Sequence, residues 1–252
     1  MDDKVTHKSV RRLCLTAAAL LLARHVCSGD LEVAKEALRD GLYPVAETYA
    51  GRALTLRGAD AEEALLALLE ALDGQRRFAD MLLRLDAEGE LVRLARRQDA
   101  FAYWRAVALL NTGRPRDAAE TAEAAKDGAT VYADALRIVA ARARQADGDM
   151  ERALSLYAEA DKVSTNAVVK AANALDWALA LERVGLTEKA LDVLKMQGGL
   201  GVSDEKTSEG LLLRARLLLR GGKTDEAVMS FNRLAMDDRA SESARVQAMV
   251  EM

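Results

Sequence analysis

Histidine, cysteine and proline are almost missing from this chain of 252 residues, with two of each. The histidines (His7, His25) and the cysteines (Cys14, Cys27) all fall within the first 28 positions. From residue 29 onward no disulfide can form, and no thiol nucleophile or imidazole acid–base group is present. A Gly-rich phosphate loop, a Cys-x-x-Cys pair, a His-Glu-x-x-His helix and a Gly-x-Ser-x-Gly elbow are all absent. Carboxylates are plentiful, but Glu62-Glu63 and Asp237-Asp238 stand at helix starts and turns, where negative charge suits the helix N-terminus. The expectation is therefore a protein without enzymatic chemistry, cofactor or metal. Aromatics make up 4% of the chain, which disfavours an aromatic-lined glycan site. Net charge is −4, and residues 1–28 carry five basic against two acidic side chains, so the remainder stands near −7. That balance argues against nucleic acid as a partner.

The scarcity of proline points to an almost wholly helical chain, with Pro44 and Pro115 each opening a helix, where a missing N–H costs nothing. What the sequence does have is a repeated grammar. Residues Ile138 to Ala160 read as a helix, a turn at Asp147-Gly148-Asp149 and a second helix with Ala153, Tyr157 and Ala160 on one face. With the turn glycine as origin, the frame recurs at Gly41, Gly74, Gly113, Gly148, Gly185 and Gly222, in steps of 33, 39, 35, 37 and 37 residues. Five residues after each glycine stands an alanine (Ala46, Ala79, Ala118, Ala153, Ala190, Ala227), and seven before it another (Ala34, Ala67, Ala106, Ala141, Ala178, Ala215). Two helices that cross closely need a small side chain on both.

From Gly29 to the C-terminus the chain resembles the tetratricopeptide repeat family, on these two alanine columns. A large apolar residue follows the second alanine by four positions at Leu83, Tyr157, Leu194 and Phe231, with Ala50 and Ala122 in the other two repeats. The next small residue is kept at Ala53, Ala125 and Ala160 and replaced by Asp86, Gln197 and Leu234. The proline that commonly closes such repeats is absent. The resemblance implies an all-α fold: an α-solenoid of about six helix-turn-helix repeats over 29–252. Ser241 to Met252 reads as half of a seventh repeat, with Ala248 in the small column, either a terminal cap or part of a longer array.

Leucines 65, 66, 68, 69 and 72 mark the second repeat as the best buried hairpin. Asp86 to Gln98 reads as an extended second helix or linker, and Gln197 to Ser203 as a flexible connection and nick site. Trp104 and Trp177 read as hairpin core, and Met196, Met229, Met236 and Met249 as gap fillers.

Residues 1–28 differ from the rest. Lys4, Lys8, Arg11 and Arg12 precede an apolar run from Leu13 to Ala23, followed by Arg24-His25-Val26-Cys27-Ser28. This is the order of a secretory signal peptide. Eleven apolar residues fall short of the roughly 20 that span a bilayer, so no stable transmembrane anchor is expected. Arg24, His25 and Val26 do not make a lipobox before Cys27. The expected place is the periplasm of a bacterium, with a cytoplasmic interaction module capped by this helix, or the N-terminal portion of a larger secretion component or enzyme, as the alternatives.

The resemblance also implies a partner surface. In the family the first helices line a concave face, through positions six, three and two before the turn glycine. These are Lys35, Leu38 and Arg39; Leu68, Ala71 and Leu72; Val107, Leu110 and Asn111; Arg142, Gln145 and Ala146; Leu179, Glu182 and Arg183; Arg216, Leu219 and Arg220. The expected groove is apolar in repeats two and three and basic in repeats four to six. Arg142, Arg183, Arg216 and Arg220 would hold an acidic protein or peptide segment, while Leu68 and Tyr103 receive an apolar side chain. The competing reading pairs these arginines with carboxylates four residues away on their own helices. Oligomeric state is left open.

Overall fold

The computed structural model describes residues 29–58, 60–129, 131–198 and 205–252. The leader expected over 1–28, and most of the connection expected over Gln197–Ser203, lie outside the described residues. Among the described residues there is no strand. Helix α1 covers 29–39 in its described part. It pairs with α2 (Tyr43–Thr55), then come α3 (Ala61–Gly74), α4 (Phe78–Ala87), the short α5 (Gly89–Leu94) and α6 (Gln98–Asn111). They are followed by α7 (Pro115–Lys126), α8 (Ala133–Asp147), α9 (Met150–Val163), α10 (Ala167–Arg183) and α11 (Thr187–Gly198). The last are α12 (Glu205–Arg220), α13 (Thr224–Ala235) and α14 (Glu242–Glu251). The molecule is an α-solenoid of helix hairpins.

The described residues fall into two compact units divided between Ala108 and Leu109, inside α6. In the second unit each first helix packs against its own second helix and also touches the next first helix, so α8, α10, α12 and α14 form one layer and α7, α9, α11 and α13 the other. Its core runs continuously from Ala174 through Phe231 to Ala248. Ala248 is fully buried, as its place in the small column requires, and α14 packs as the first half of a further hairpin.

The alanine columns have a physical reality that can be read residue by residue. Ala34, Ala46, Ala106, Ala118, Ala141, Ala153, Ala178, Ala190, Ala215 and Ala227 all have no exposed surface. At the turns of five repeats the glycine takes a left-handed φ: Gly41 70°, Gly113 78°, Gly148 91°, Gly185 78° and Gly222 75°. The N–H of the following residue reaches back five positions to a helix carbonyl, as in Asp149 to Arg144 at 2.9 Å and Lys223 to Leu218 at 2.9 Å. This closure satisfies carbonyls at the helix end and wants a residue without a side chain at the left-handed position.

The second repeat breaks the pattern read from sequence. There the left-handed residue is Arg76, with φ of 57°, and Arg77 N–H bonds Leu72 carbonyl at 2.9 Å. Gly74 is the last residue of α3 rather than the turn, so the true origin lies two residues later and the steps become 35, 37, 35, 37 and 37. The crossing in this repeat is made by Leu69 and Met81, both fully buried, while Ala79 is exposed. Leu85, fully buried, fills the column assigned to Leu83, which is 67% exposed. Gly74 is glycine for a different reason: a Cβ there would lie 2.4 Å from Cδ1 and Cε1 of Tyr43, whose ring stands in the place of that Cβ.

Other expectations are met or corrected locally. All five α3 leucines are buried. Asp86–Gln98 is a broken linker holding α5, and Glu62 accepts hydrogen bonds from the N–H groups of Arg96 and Arg97 (3.1 and 3.0 Å), which ties this linker to α3. Trp104 is half-buried, Trp177 is half-buried and packs against the core of the second unit as expected, and Met196, Met229, Met236 and Met249 are exposed rather than filling gaps. Among the described residues the buried methionine is Met81. Gln197, a departure in the small column, is buried and fits because Gly210 faces it. Its Nε2 donates to the carbonyls of Ala171 (2.7 Å) and Lys206 (3.4 Å), joining α10, α11 and α12.

Candidate functional site

Moving the origin of the second repeat changes what that repeat offers a partner. Leu68, Ala71 and Leu72 are buried at 2, 0 and 1% exposure, so the expected apolar receptor at Leu68 is part of the core. Six, three and two residues before Arg76 stand Glu70, Asp73 and Gly74. Burial raises the carboxyl of Glu70 above its ordinary range, and the Asp73 charge adds to it. Burial likewise raises Asp73, against the pull of Arg76. This stretch is acidic, not apolar. In the same unit Lys35 is engaged by Glu63 at 2.7 Å and by Glu32 at 3.2 Å, and Arg39 donates through Nε to the carbonyl of Lys35. Tyr103 is half-buried with its ring edge-on to Trp104, centroids 5.0 Å apart.

The second unit holds Asn111, Arg142, Gln145, Arg183, Arg216 and Arg220. Asn111 is exposed at the end of α6. The structure gathers three of the others, Arg142, Gln145 and Arg183, around one pocket of about 230 Å³. Arg142 and Gln145 are three apart on α8, and Asp176, Leu179, Glu182 and Arg183 recur at helical spacing on α10, so each helix turns one face to the pocket. The remaining lining residue is Tyr157 of α9, which reaches through from the second layer. Its ring is 1% exposed, and its main-chain carbonyl is held by Asn173 Nδ2 of α10 at 3.1 Å. Its hydroxyl donates to Gln145 Oε1 at 3.2 Å. Burial, and after it the Asp176 charge, push the phenol above its ordinary range, against Arg142 and Arg183, so it stays a proton donor.

The charges of the inner positions are largely spent on one another. Arg142 Nε donates to Asp176 Oδ2 at 2.7 Å, Arg220 Nη1 donates to Glu182, and Arg216 Nε donates to Glu251 Oε2 at 2.9 Å. The Glu251 bond raises Arg216 and, reciprocally, Arg216 holds the Glu251 carboxyl below its ordinary range. These carboxylates lie about one repeat away in sequence, not four residues away on the same helix. Among the described residues of the pocket, Arg183 is the cation without an ion pair. Tyr157 was assigned to the core from sequence; the signal of its second role is a hydroxyl in a column otherwise filled by hydrocarbon side chains. Asp176 and Glu251 had no signal beyond their type.

Among the described residues no helix is long and apolar enough to cross a membrane, and no cluster of three His, Cys, Asp or Glu side chains is placed to hold a metal ion.

No model of a protein family matches the chain, and no curated protein matches it in sequence. Solved structures do match. A Pseudomonas aeruginosa pilF structure aligns with TM-score 0.64 and 15% identity, covering 91% of this chain and 99% of that one. NprR from B. thuringiensis in its apo form aligns with TM-score 0.46 and 13% identity over 89% of this chain and 80% of that one. A Podospora anserina kinesin light chain protein with TPR-like repeats gives 0.45 and 14% over 90% and 98%. The fold is that of the tetratricopeptide repeat.

Proposed function

We propose that this tetratricopeptide-fold chain is a non-enzymatic interaction scaffold of a bacterial cell envelope, delivered there by residues 1–28, which captures an extended segment of another protein on the inner layer of its second unit. The observation that carries the reading is the pocket between α8 and α10. It lies on the face where first helices present polar side chains, and it combines a free guanidinium, an amide and the exposed Leu179 with a fixed aromatic floor. Such a mixture recognises a peptide backbone and its side chains, and it lacks the paired nucleophile and base that chemistry would need. Export rests on the basic, then apolar, then polar order of the leader.

The test is a photo-crosslink. Benzoylphenylalanine in place of Ala146, exposed beside Gln145 on α8, is irradiated in the native cells, and the captured chain is sequenced from its N-terminus. The expected result is a crosslinked segment of an envelope protein on a chain that starts near Ser28 or Gly29. An intact Met1 joined to cytosolic proteins would move the protein to a cytoplasmic module. Absence of any crosslink from Ala146, alongside a stable partner captured elsewhere, would remove the pocket from the reading.

A further inference from the structure

The pocket has a polarity that fixes the chemistry of its occupant. Tyr157 is buried, so its O–H needs an acceptor, and the acceptor it has is Gln145 Oε1. An amide held by its oxygen turns its NH₂ outward. Among the described residues Gln145 Nε2 has no hydrogen-bond partner and is left as a donor on the pocket side. On α10, the charges of Asp176 and Glu182 are offset by Arg142 and Arg220, so neither carboxylate offers an uncompensated charge to a basic ligand. What is left open is a donor set: the guanidinium of Arg183 and the amide of Gln145, with Leu179, 39% exposed, on the α10 face beside them.

We infer that the pocket takes an extended peptide segment bearing one carboxylate, held at Arg183, and one backbone carbonyl, held at Gln145 Nε2, with an apolar side chain against Leu179. Tyr157 is a positioning residue that sets which end of Gln145 meets the ligand. This rests on the pocket being a peptide site. It differs from a broadly basic groove in one respect: Arg142, Arg216 and Arg220 do not anchor the ligand, because each already holds a carboxylate of this chain.

The experiment uses a displayed library of random twelve-residue peptides, selected on the purified full chain. Selected peptides are then crosslinked from benzoylphenylalanine at position 146, and their affinities are read by fluorescence anisotropy. Peptides that crosslink at 146 are expected to share one Asp or Glu next to an apolar residue. Arg183→Gln should weaken them about tenfold or more, as loss of a hydrogen bond to a charged group does, while Arg216→Gln leaves affinity within about twofold. Tyr157→Phe should weaken them about three- to tenfold in the native background and have no effect once Gln145→Ala is present. A purely structural role for Tyr157 would cost the same in both backgrounds and would overturn the positioning assignment. Crosslinking peptides that lack an acid, or that bind Arg183→Gln undiminished, would overturn the carboxylate assignment while leaving the pocket as the peptide site. If no selected peptide crosslinks at 146, the peptide-site reading falls and this inference with it.

Discussion

Replacing Gly74 by alanine separates the two possible registers of the second repeat. If Gly74 were the left-handed turn residue, alanine there would be strained by φ alone. In the structure it is a helical residue, where alanine is intrinsically favoured over glycine by about 1 kcal/mol. Against that gain stands the Tyr43 ring, 2.4 Å from the new Cβ at two of its carbons, inside any van der Waals contact. Overpacking of this kind costs about 1–3 kcal/mol, so Gly74→Ala should destabilise by about 1 kcal/mol net and lower Tm by about 2–4 °C. The sign should reverse when the obstruction is removed: on a Tyr43→Ala background, Gly74→Ala should raise Tm. Arg76→Gly should stabilise by about 1 kcal/mol, because a left-handed residue with a Cβ costs about that much and glycine does not. Thermal unfolding followed by far-UV circular dichroism reads all four variants. A Tm lowered by Arg76→Gly, or a Gly74→Ala effect independent of Tyr43, would refute the two-residue shift of origin.

Gly210→Ala would bring a Cβ to 2.0 Å from Gln197 Oε1, so it should expel the buried amide from its bonds to Ala171 and Lys206 and destabilise by about 2–3 kcal/mol, with partial rescue by Gln197→Ala; urea unfolding of the double-mutant cycle measures the coupling. The carboxyls of Glu70 and Glu123 should respond to pH with opposite signs. Partial desolvation, with the Asp73 charge, raises Glu70, which still meets solvent, so its ionised form costs a little stability above its folded pKa and the cost is relieved as pH falls: Glu70→Gln should raise Tm slightly at pH 7 and leave it unchanged near pH 3. Burial also opposes ionisation of Glu123, but hydrogen bonds from Arg152 and Arg144 outweigh it and hold the group below the ordinary value of 4.5, so its contribution is full above that value and is lost as pH falls through the folded pKa. Glu123→Gln should accordingly lower Tm at pH 7 and have no effect in strong acid. Arg216→Gln removes the bidentate hold on Glu251 and should speed hydrogen exchange of the α14 amides while those of α12 are unmoved, since an exposed pair contributes about 0.2–1 kcal/mol.

The helix hairpins were legible because small residues at a close crossing leave a periodic mark. Ten alanines placed by that mark are fully buried. The same mark misled in the second repeat, where an alanine-rich stretch supplies Ala67 and Ala79 at the right distances from Gly74 by coincidence, while the real crossing uses Leu69 and Met81. Spacing could not reveal that Gly74 yields to the Tyr43 ring or that Gln197 and Gly210 fit one another, because both are contacts between helices that the one-dimensional pattern does not connect. Residues of the pocket were found in part: Arg142, Gln145 and Arg183 stand at the positions that the family resemblance implies for a partner surface, once the turns at Gly148 and Gly185 fix the register.

Availability of those arginines is a different property from their position. In the second unit the first helices α8, α10, α12 and α14 touch in succession, so a side chain on that layer meets a neighbour about one repeat further along: Arg142 meets Asp176, Glu182 meets Arg220 and Arg216 meets Glu251. Of the arginines read from sequence as a basic groove, Arg142, Arg216 and Arg220 are therefore members of ion pairs between successive repeats, each worth little alone and each offsetting a positive charge that the groove would otherwise offer, while Arg183 is not. Specificity then rests on what the pairing leaves over. At the α8–α10 step the remainder is Arg183, one residue past the Glu182 that Arg220 has taken, beside an amide whose direction Tyr157 dictates. On the proposed reading, exchanging Glu182 and Arg183 in order would keep every composition and charge count and would still move the free cation to the inner position that Arg220 now faces, so a peptide selected on the native chain should bind the exchanged chain more weakly, and undiminished binding would refute the role given to Arg183.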